Sequence, residues 1–317
     1  MNFIKYFFTF VFFSIYSSFV FAENIKIKLL LDWFVNPDHG PIIIANEKGY
    51  FKKLGLDVEI ISPANPSDPP KLLAAGEADI AISYQPQLHL QTHQGLPLVR
   101  VGTLIATPLN CLLVMKDGPI KNLSDLKGKR IGYSIAGIEK ALINSILAKG
   151  SVKQEEIELI NVNWSLSPSL LSGQVDAVLG AFRNFELNQL EIEGKQGKCF
   201  YLEEEGIPVY DELIFIANRN NYNKDNISKF LEAVEMATIF IINHPETSWN
   251  IFSSTSSELN DELNYKAWKD TLPRLALRPS ALDYKRYKRF EYYLYNAKLI
   301  DSIFPVHQFA IDVHSEE

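Results

Sequence analysis

Short apolar segments alternate with helical ones twice along this chain, and that rhythm limits the fold more than any other feature. Residues 24–31 alternate at first and then turn continuously apolar, as a strand buried in a parallel sheet does. Residues 42–53 predict a helix ending near Gly49 with a short turn after it. Strands follow over 56–61, 78–83 and 99–106, with helices over 71–75 and 89–94 between them. The loop 62–70, rich in Pro, Ser and Asn, opens the first of these helices with Ser67 or Asp68 as cap. This reads βαβαβαβ, the pattern of a parallel sheet with helices on its faces. A second unit of similar size has strands over 112–115, 129–133, 157–162, 177–180 and 199–202, with helices over 138–149, 167–171 and 185–193. A strand over 213–217 returns the chain to the first unit, and helices over 226–243, 245–252, 261–271 and 281–297 follow. The expected fold class is α/β with two lobes, 23–109 plus 214–317 forming one and 110–213 the other. A ligand would lie in the interlobe cleft, at the C-terminal ends of the strands.

Residues 1–22 stand apart from this pattern. Lys5 gives a positive start, 6–21 is almost wholly apolar, and Val20-Phe21-Ala22 forms a small-residue cleavage site before Glu23. The run is short for a membrane span of ~20 residues. The expectation is a secretory signal peptide, with an uncleaved anchor as the alternative. The formal charge of −7 argues against nucleic acid as the main partner, because phosphate binding needs a basic patch. The stretch 283–295 (DYKRYKRFEYYLY) sets Arg and Lys beside Tyr and Phe, but its spacing reads as one apolar and one solvated helix face packed on the first lobe. Cys111 and Cys199 are the only cysteines. Export would permit them to pair, and Cys111 in an apolar strand is equally a buried thiol. The sequence shows no zinc spacing, and no metal or cofactor is expected.

Candidate site residues cluster at strand ends. The run 29–40 (LLLDWFVNPDHG) leads an apolar strand into a loop carrying Asp32, Trp33, Asn36, Asp38 and His39. A flat aromatic face beside carboxylates, an amide and an imidazole suits a small nitrogen-rich ring. The alternative is a buried Trp beside a helix N-cap, with His39 bracing the Asp32 loop instead of touching a ligand. Tyr84, at the end of the third strand, can stack on a ring opposite Trp33. Tyr133, Ser134 and Gly137 lead into the helix 138–149, whose free amides can receive a ligand oxygen or an anion; the plainer reading is a turn capped by Ser134. Phe182 and Glu186 close a strand at the second lobe's rim. Glu186 is either an acceptor for an exocyclic amine or a solvated helix-start glutamate. Arg183 would pull the reading toward an acidic ligand. Asp211 and Glu212, near the return crossing, read as hinge acids or solvated loop acids.

Several segments together resemble one family. They are Leu31-Asp-Trp33 with Asn36 and His39, Glu47-Lys-Gly-Tyr-Phe51, Leu54-Gly-Leu-Asp-Val58, Asn65-Pro-Ser-Asp68, Gly76-Glu-Ala-Asp79 and Leu126-Lys-Gly-Lys-Arg-Ile-Gly-Tyr133. The chain resembles the NMT1/THI5-like family, which joins bacterial binding proteins for thiamine pyrimidine precursors to hydroxymethylpyrimidine phosphate synthases. More broadly it is similar to SsuA-like receptors of ABC importers. The resemblance implies a type II periplasmic binding protein fold and, together with the expected signal peptide, a periplasmic destination. It implies a monomer that captures an aminopyrimidine, such as formylaminopyrimidine or hydroxymethylpyrimidine, by lobe closure and delivers it to an ABC permease in the inner membrane. The family's synthases hold pyridoxal phosphate on a lysine just after the third strand, with a histidine four residues on and a cysteine-rich motif before the return strand. Here Ser83 and Gln87 stand at those positions, and 206–213 holds no cysteine. A serine cannot form a Schiff base, so the expectation is a receptor and not an enzyme. The alternatives are a receptor for a sulfonate or riboflavin-like solute or, less simply, a synthase.

Overall fold

The computed structural model describes residues 24–314, so the expected signal segment lies outside it. The chain first builds β1 (Ile25–Leu30), α1 (Gly40–Glu47), α2 (Tyr50–Lys53), β2 (Leu56–Ile61), α3 (Pro69–Ala74), β3 (Ile80–Ser83), α4 (Gln85–His93) and β4 (Leu98–Ile105). It crosses into β5 (Asn110–Met115), β6 (Arg130–Tyr133), α5 (Ile138–Lys149), β7 (Glu158–Asn161), α6 (Leu166–Leu171), β8 (Ala177–Phe182), α7 (Glu186–Ile192) and β9 (Gly197–Tyr201). It returns through β10 (Leu213–Asn218) and ends in α8 (Lys224–Asn243), α9 (Pro245–Ser254), α10 (Glu262–Thr271) and α11 (Tyr284–Asn296).

The strands form two sheets, ordered β2-β1-β3-β10-β4 and β7-β6-β8-β5-β9. In the first, β1 pairs in parallel with β2 and β3, as the alternation predicts. β10 lies between β3 and β4, antiparallel to both. The reason is its point of entry. It arrives from the second sheet beside the C-terminal ends of its neighbours, with Ile214 opposite Ser83 and Leu213 opposite Ile105, and must run back down. β5 does the same in the second sheet, entering between β8 and β9 with Asn110 opposite Phe182. β3, β4 and β10 are buried along their whole length, which explains their continuous apolar reading. Cys111 on β5 is disulfide-bonded to Cys199 on β9, its neighbour in the sheet.

Two acids stitch the crossings between the sheets. Glu212 accepts hydrogen bonds from the backbone amides of Leu109 (2.6 Å) and Asn110 (2.8 Å), while its own amide donates to the Ile105 carbonyl. Asp211 accepts from Thr103 Oγ1 and Tyr287 and pairs with Arg286; its amide donates to Gln85. Both are buried, so they are not solvated loop acids.

The stretch 283–295 becomes α11, with Tyr287, Phe290, Glu291 and Leu294 buried against the first sheet's helices. Glu291 is wholly buried and joins His89 (2.5 Å) and His93 (2.6 Å), one turn apart on α4. One cap differs from expectation. Asp68 stands at the N-cap of α3 but makes no capping bond; its backbone is already helical (φ −92°, ψ −30°). Ser67 Oγ instead accepts from the Ala136 amide, in the turn before α5.

Candidate functional site

The loop after β1 is fixed by its own polar residues. Asn36 Oδ1 accepts from the Asp38 amide (2.9 Å), capping the tight turn at Pro37–His39. The Asn36 amide donates to His39 Nδ1 (3.2 Å), so the ring's proton sits on Nε2 and is donated to Asp32 Oδ1 at 3.0 Å. Tyr84, at the end of β3, donates its hydroxyl to Asp32 Oδ2 at 2.5 Å. Both Asp32 oxygens are therefore engaged, and Trp33 follows directly on a rigid residue.

This loop faces the second sheet across a cleft with about 670 Å³ of space free of protein atoms, its mouth included. Asp32, Trp33, Asn36, Asp38, Tyr84 and Leu213 line it from the first side. From the second come Asn110, Tyr133, Ser134, Phe182, Phe185 and Glu186, with Ile135, Leu166, Leu179 and Gly180. Its size and its mix of aromatic and few polar groups are those of a small-molecule site. Among the described residues, the charged members of the lining are Asp32, Asp38 and Glu186, all acids, with no Lys, Arg or His beside them. Burial pushes Glu186 up to about 7, against the pull of the Phe182 amide that donates to its Oε2 (2.6 Å). Burial likewise raises Asp38 to about 6, opposed by hydrogen bonds from Thr271 and Asn184.

Of the expected site residues, Asp32, Trp33, Asn36, Tyr84, Tyr133, Ser134, Phe182 and Glu186 converge on this cleft. Two do not line it. His39 is wholly buried behind Asp32 and braces the loop. Gly137 stands at the start of α5 with φ 100°, a backbone conformation that favours glycine, and serves the turn. Ser134 is not the cap of α5; its hydroxyl donates to the Asn163 carbonyl. Trp33 and Tyr84 do not face each other as a bare pair: Trp33 meets Trp164 at 4.4 Å, and Tyr84 meets Phe182 edge-on at 6.4 Å. Arg183 is not available to an anion. Its guanidinium holds Glu203 at 2.7 and 2.9 Å and lies 4.2 Å over the Tyr201 ring.

Sequence reasoning passes over Asn110, Phe185 and, as a site residue, Asp38. Asp38 sits in the run 29–40, but nothing local says which of its polar residues turn inward. Asn110 Oδ1 accepts from the Gly180 amide, a pairing seventy residues away in the chain with no local signal. Among the described residues no group of three or more His, Cys, Asp or Glu is placed to hold a metal ion.

The family model described as NMT1/THI5 like matches residues 36–248. A Haemophilus influenzae protein named for thiamine biosynthesis is 51% identical over 294 residues, covering 92% of this chain and 93% of its own. The formylaminopyrimidine-binding protein of Halalkalibacterium halodurans is 30% identical over 248 residues, covering 78% of this chain and 75% of its own. A 4-amino-5-hydroxymethyl-2-methylpyrimidine phosphate synthase of Saccharomyces cerevisiae is 28% identical over 265 residues, covering 77% and 75%. Among solved structures, the alkanesulfonate-binding protein SsuA of Xanthomonas axonopodis superposes with a TM-score of 0.72 over 92% of this chain and 99% of that one, at 15% identity, a likeness of fold alone.

Proposed function

The chain belongs to the NMT1/THI5-like family, and from that premise we propose that it is the solute-binding component of an importer that captures an aminopyrimidine of thiamine biosynthesis and passes it to a membrane permease. One observation carries this reading: among the described residues the cleft is lined by aromatic rings and by three acids without a cation. An aminopyrimidine is flat and offers N–H donors from its exocyclic amine. Trp33 supplies a face for the ring, and Glu186 reads the edge where an amine donor lies beside a ring-nitrogen acceptor. A sulfonate would meet three acids and, among the described residues, no compensating positive charge, which opposes the anion-receptor alternative.

The enzyme alternative lacks its amine. Ser83 and Gln87, where the family resemblance puts the Schiff-base lysine and its histidine, are buried and bonded to each other at 3.0 Å. Among the described residues no lysine lines the cleft to take their place. The apolar start of the chain and the Cys111–Cys199 disulfide support an exported protein in an oxidising compartment.

Capture would proceed by closure of two lobes about the crossings that Glu212 and Asp211 stitch. Contacts already span the cleft on both flanks. Asn188 donates to Asp270 at 2.9 Å on one, and Ser145 bonds Tyr293 at 2.6 Å on the other. The permease would read the closed outline.

Isothermal titration of the protein from Glu23 onward with formylaminopyrimidine, hydroxymethylpyrimidine, thiamine and taurine tests the reading. Tight binding of a pyrimidine is expected, weakened about 30-fold by Trp33→Ala, the scale of removing an aromatic anchor worth about 2 kcal/mol. Silence toward both pyrimidines with heat from taurine would overturn it.

The pH profile carries a second expectation. A carboxylic acid, one O–H beside one C=O, complements the donor–acceptor edge of an aminopyrimidine, and Glu186 at about 7 holds that proton up to neutral pH. Affinity should fall about tenfold or more as pH rises from 6 to 9, because the shared proton is lost. Glu186→Gln presents an amide with the same donor–acceptor edge and should bind with no alkaline decline. A decline of the same size in the variant would remove Glu186 from the site.

A further inference from the structure

We infer that Asp38 is a ligand-reading residue with two faces, and that Asn184 positions it by latching the two lobes together; this rests on the receptor reading above. The amide nitrogen of Asn184 donates to Asp38 Oδ1 at 2.7 Å and to Thr271 Oγ1 at 2.8 Å, and Thr271 Oγ1 donates to the same Asp38 oxygen at 2.7 Å. The three groups form a closed triangle, and each residue is 1–2% exposed. Asn184 follows β8 in the second sheet, whereas Asp38 and Thr271 belong to the loop after β1 and the end of α10.

The side chain of Asn184 has no hydrogen-bond partner on its own side. Its oxygen is buried without a partner, and both bonds of its nitrogen cross the cleft. Burying an amide oxygen unpaired is unfavourable, so the residue is not placed for the second lobe's own stability. In an open molecule its amide loses both partners and gains water. The latch therefore exists only on closure.

Asp38 supplies the link to the ligand. Its Oδ1 holds the triangle, its Oδ2 takes no hydrogen bond from the described residues, and the residue lines the cleft. A donor on the ligand that reaches Oδ2 meets a carboxylate already aimed by Asn184 and Thr271. The ligand chemistry selected is an N–H group, matching the exocyclic amine, at a point distinct from Glu186. Binding and closure then meet in one carboxylate: the ligand holds one oxygen, and the opposite lobe holds the other.

Stopped-flow tryptophan fluorescence with 4-amino-5-hydroxymethyl-2-methylpyrimidine as probe tests this on the wild type, Asn184→Ala, Thr271→Val and Asp38→Asn. The latch acts after encounter, so Asn184→Ala should raise the dissociation rate about tenfold and leave the association rate within about twofold. Thr271→Val, which keeps the side chain's shape, should do the same more weakly. Asp38→Asn should weaken binding by more than either. The melting temperature of the ligand-free protein should not move for Asn184→Ala. A lowered melting temperature with an unchanged dissociation rate would make Asn184 a packing residue and overturn the latch alone. A wild type that binds the probe, with Asp38→Asn binding equally well, would overturn the ligand-reading face. A wild type that responds in fluorescence and titration to neither this pyrimidine nor formylaminopyrimidine overturns the receptor reading, and this inference with it.

Discussion

Replacing Arg100 by methionine is expected to cost about 4 kcal/mol of folding stability, the largest effect of any single substitution considered for this chain. Arg100 lies on β4 and is wholly buried. Its guanidinium donates to the carbonyls of Pro279 (3.1 Å), Ser280 (3.1 Å), Ala281 (2.6 Å) and Ile311 (2.9 Å), and to Thr103 Oγ1 (2.8 Å). Among the described residues no carboxylate touches it; Thr103 relays to Asp211, which accepts from that hydroxyl at 2.9 Å. The cation is thus solvated by the backbone of two segments outside the strands, 279–281 and the stretch at Ile311. Methionine fills much of the volume but donates nothing. Each buried acceptor left bare costs about 1–3 kcal/mol, and water reaching some of them brings the total down to the stated figure. Urea denaturation followed by circular dichroism would measure it. A loss below about 1 kcal/mol would mean that these carbonyls find other donors.

Glu212→Ala should follow at about 3 kcal/mol. One carboxylate oxygen accepts from both the Leu109 and the Asn110 amides, so alanine strands two donors at the crossing into the second sheet. Glu212→Gln is the informative companion, because an amide oxygen can take over both bonds while the charge disappears. Burial raises Glu212 to about 7, as it raises Glu186 to about 7 and Asp38 to about 6. These values lie above those of the unfolded chain, so between about pH 4 and 7 the folded state binds more protons than the unfolded state. Stability from these groups is fully present below the unfolded values and is lost as pH rises through the folded ones. The ligand-free protein should therefore melt at a higher temperature at pH 5 than at pH 8. Glu212→Gln should narrow that difference, and a melting temperature that rises from pH 5 to pH 8 would contradict the assignment.

Much of the architecture is legible in the sequence because both sheets are built from apolar runs that alternate with helices. Strand direction is not. The reading of 213–217 as a returning strand holds, but an apolar run buried on both faces looks the same whichever way it points, so the antiparallel entry of β10 and β5 is invisible until the partners are known. Within the site, the legible part is what one short segment can hold: Asp32, Asn36 and His39 lie within eight residues and brace one another. The segment around Phe182 shows the limit. Arg183 and Glu186 are three apart, and both offered themselves as ligand groups. Glu186 turns in because it receives the Phe182 amide, whereas Arg183 turns out to Glu203, a partner on a different strand end. Asn184 stands between them, and its partners lie 146 and 87 residues away. No local pattern carries that information.

The return of β10 into the middle of the first sheet also sets an order of assembly. Every strand of the second sheet lies within Asn110–Tyr201 in unbroken succession, so that half can close as soon as its residues are available. The first sheet cannot. β3 and β4 have no direct pairing until β10 is inserted between them, and the clamp on Arg100 waits for Ile311, almost the last described residue. A chain delivered from its N-terminus thus presents two bare, strongly apolar strand edges for as long as the intervening hundred or so residues take to follow. That interval is when a holding chaperone would have most to shield, and when a chain shortened at its C-terminus would lose the half that was made first.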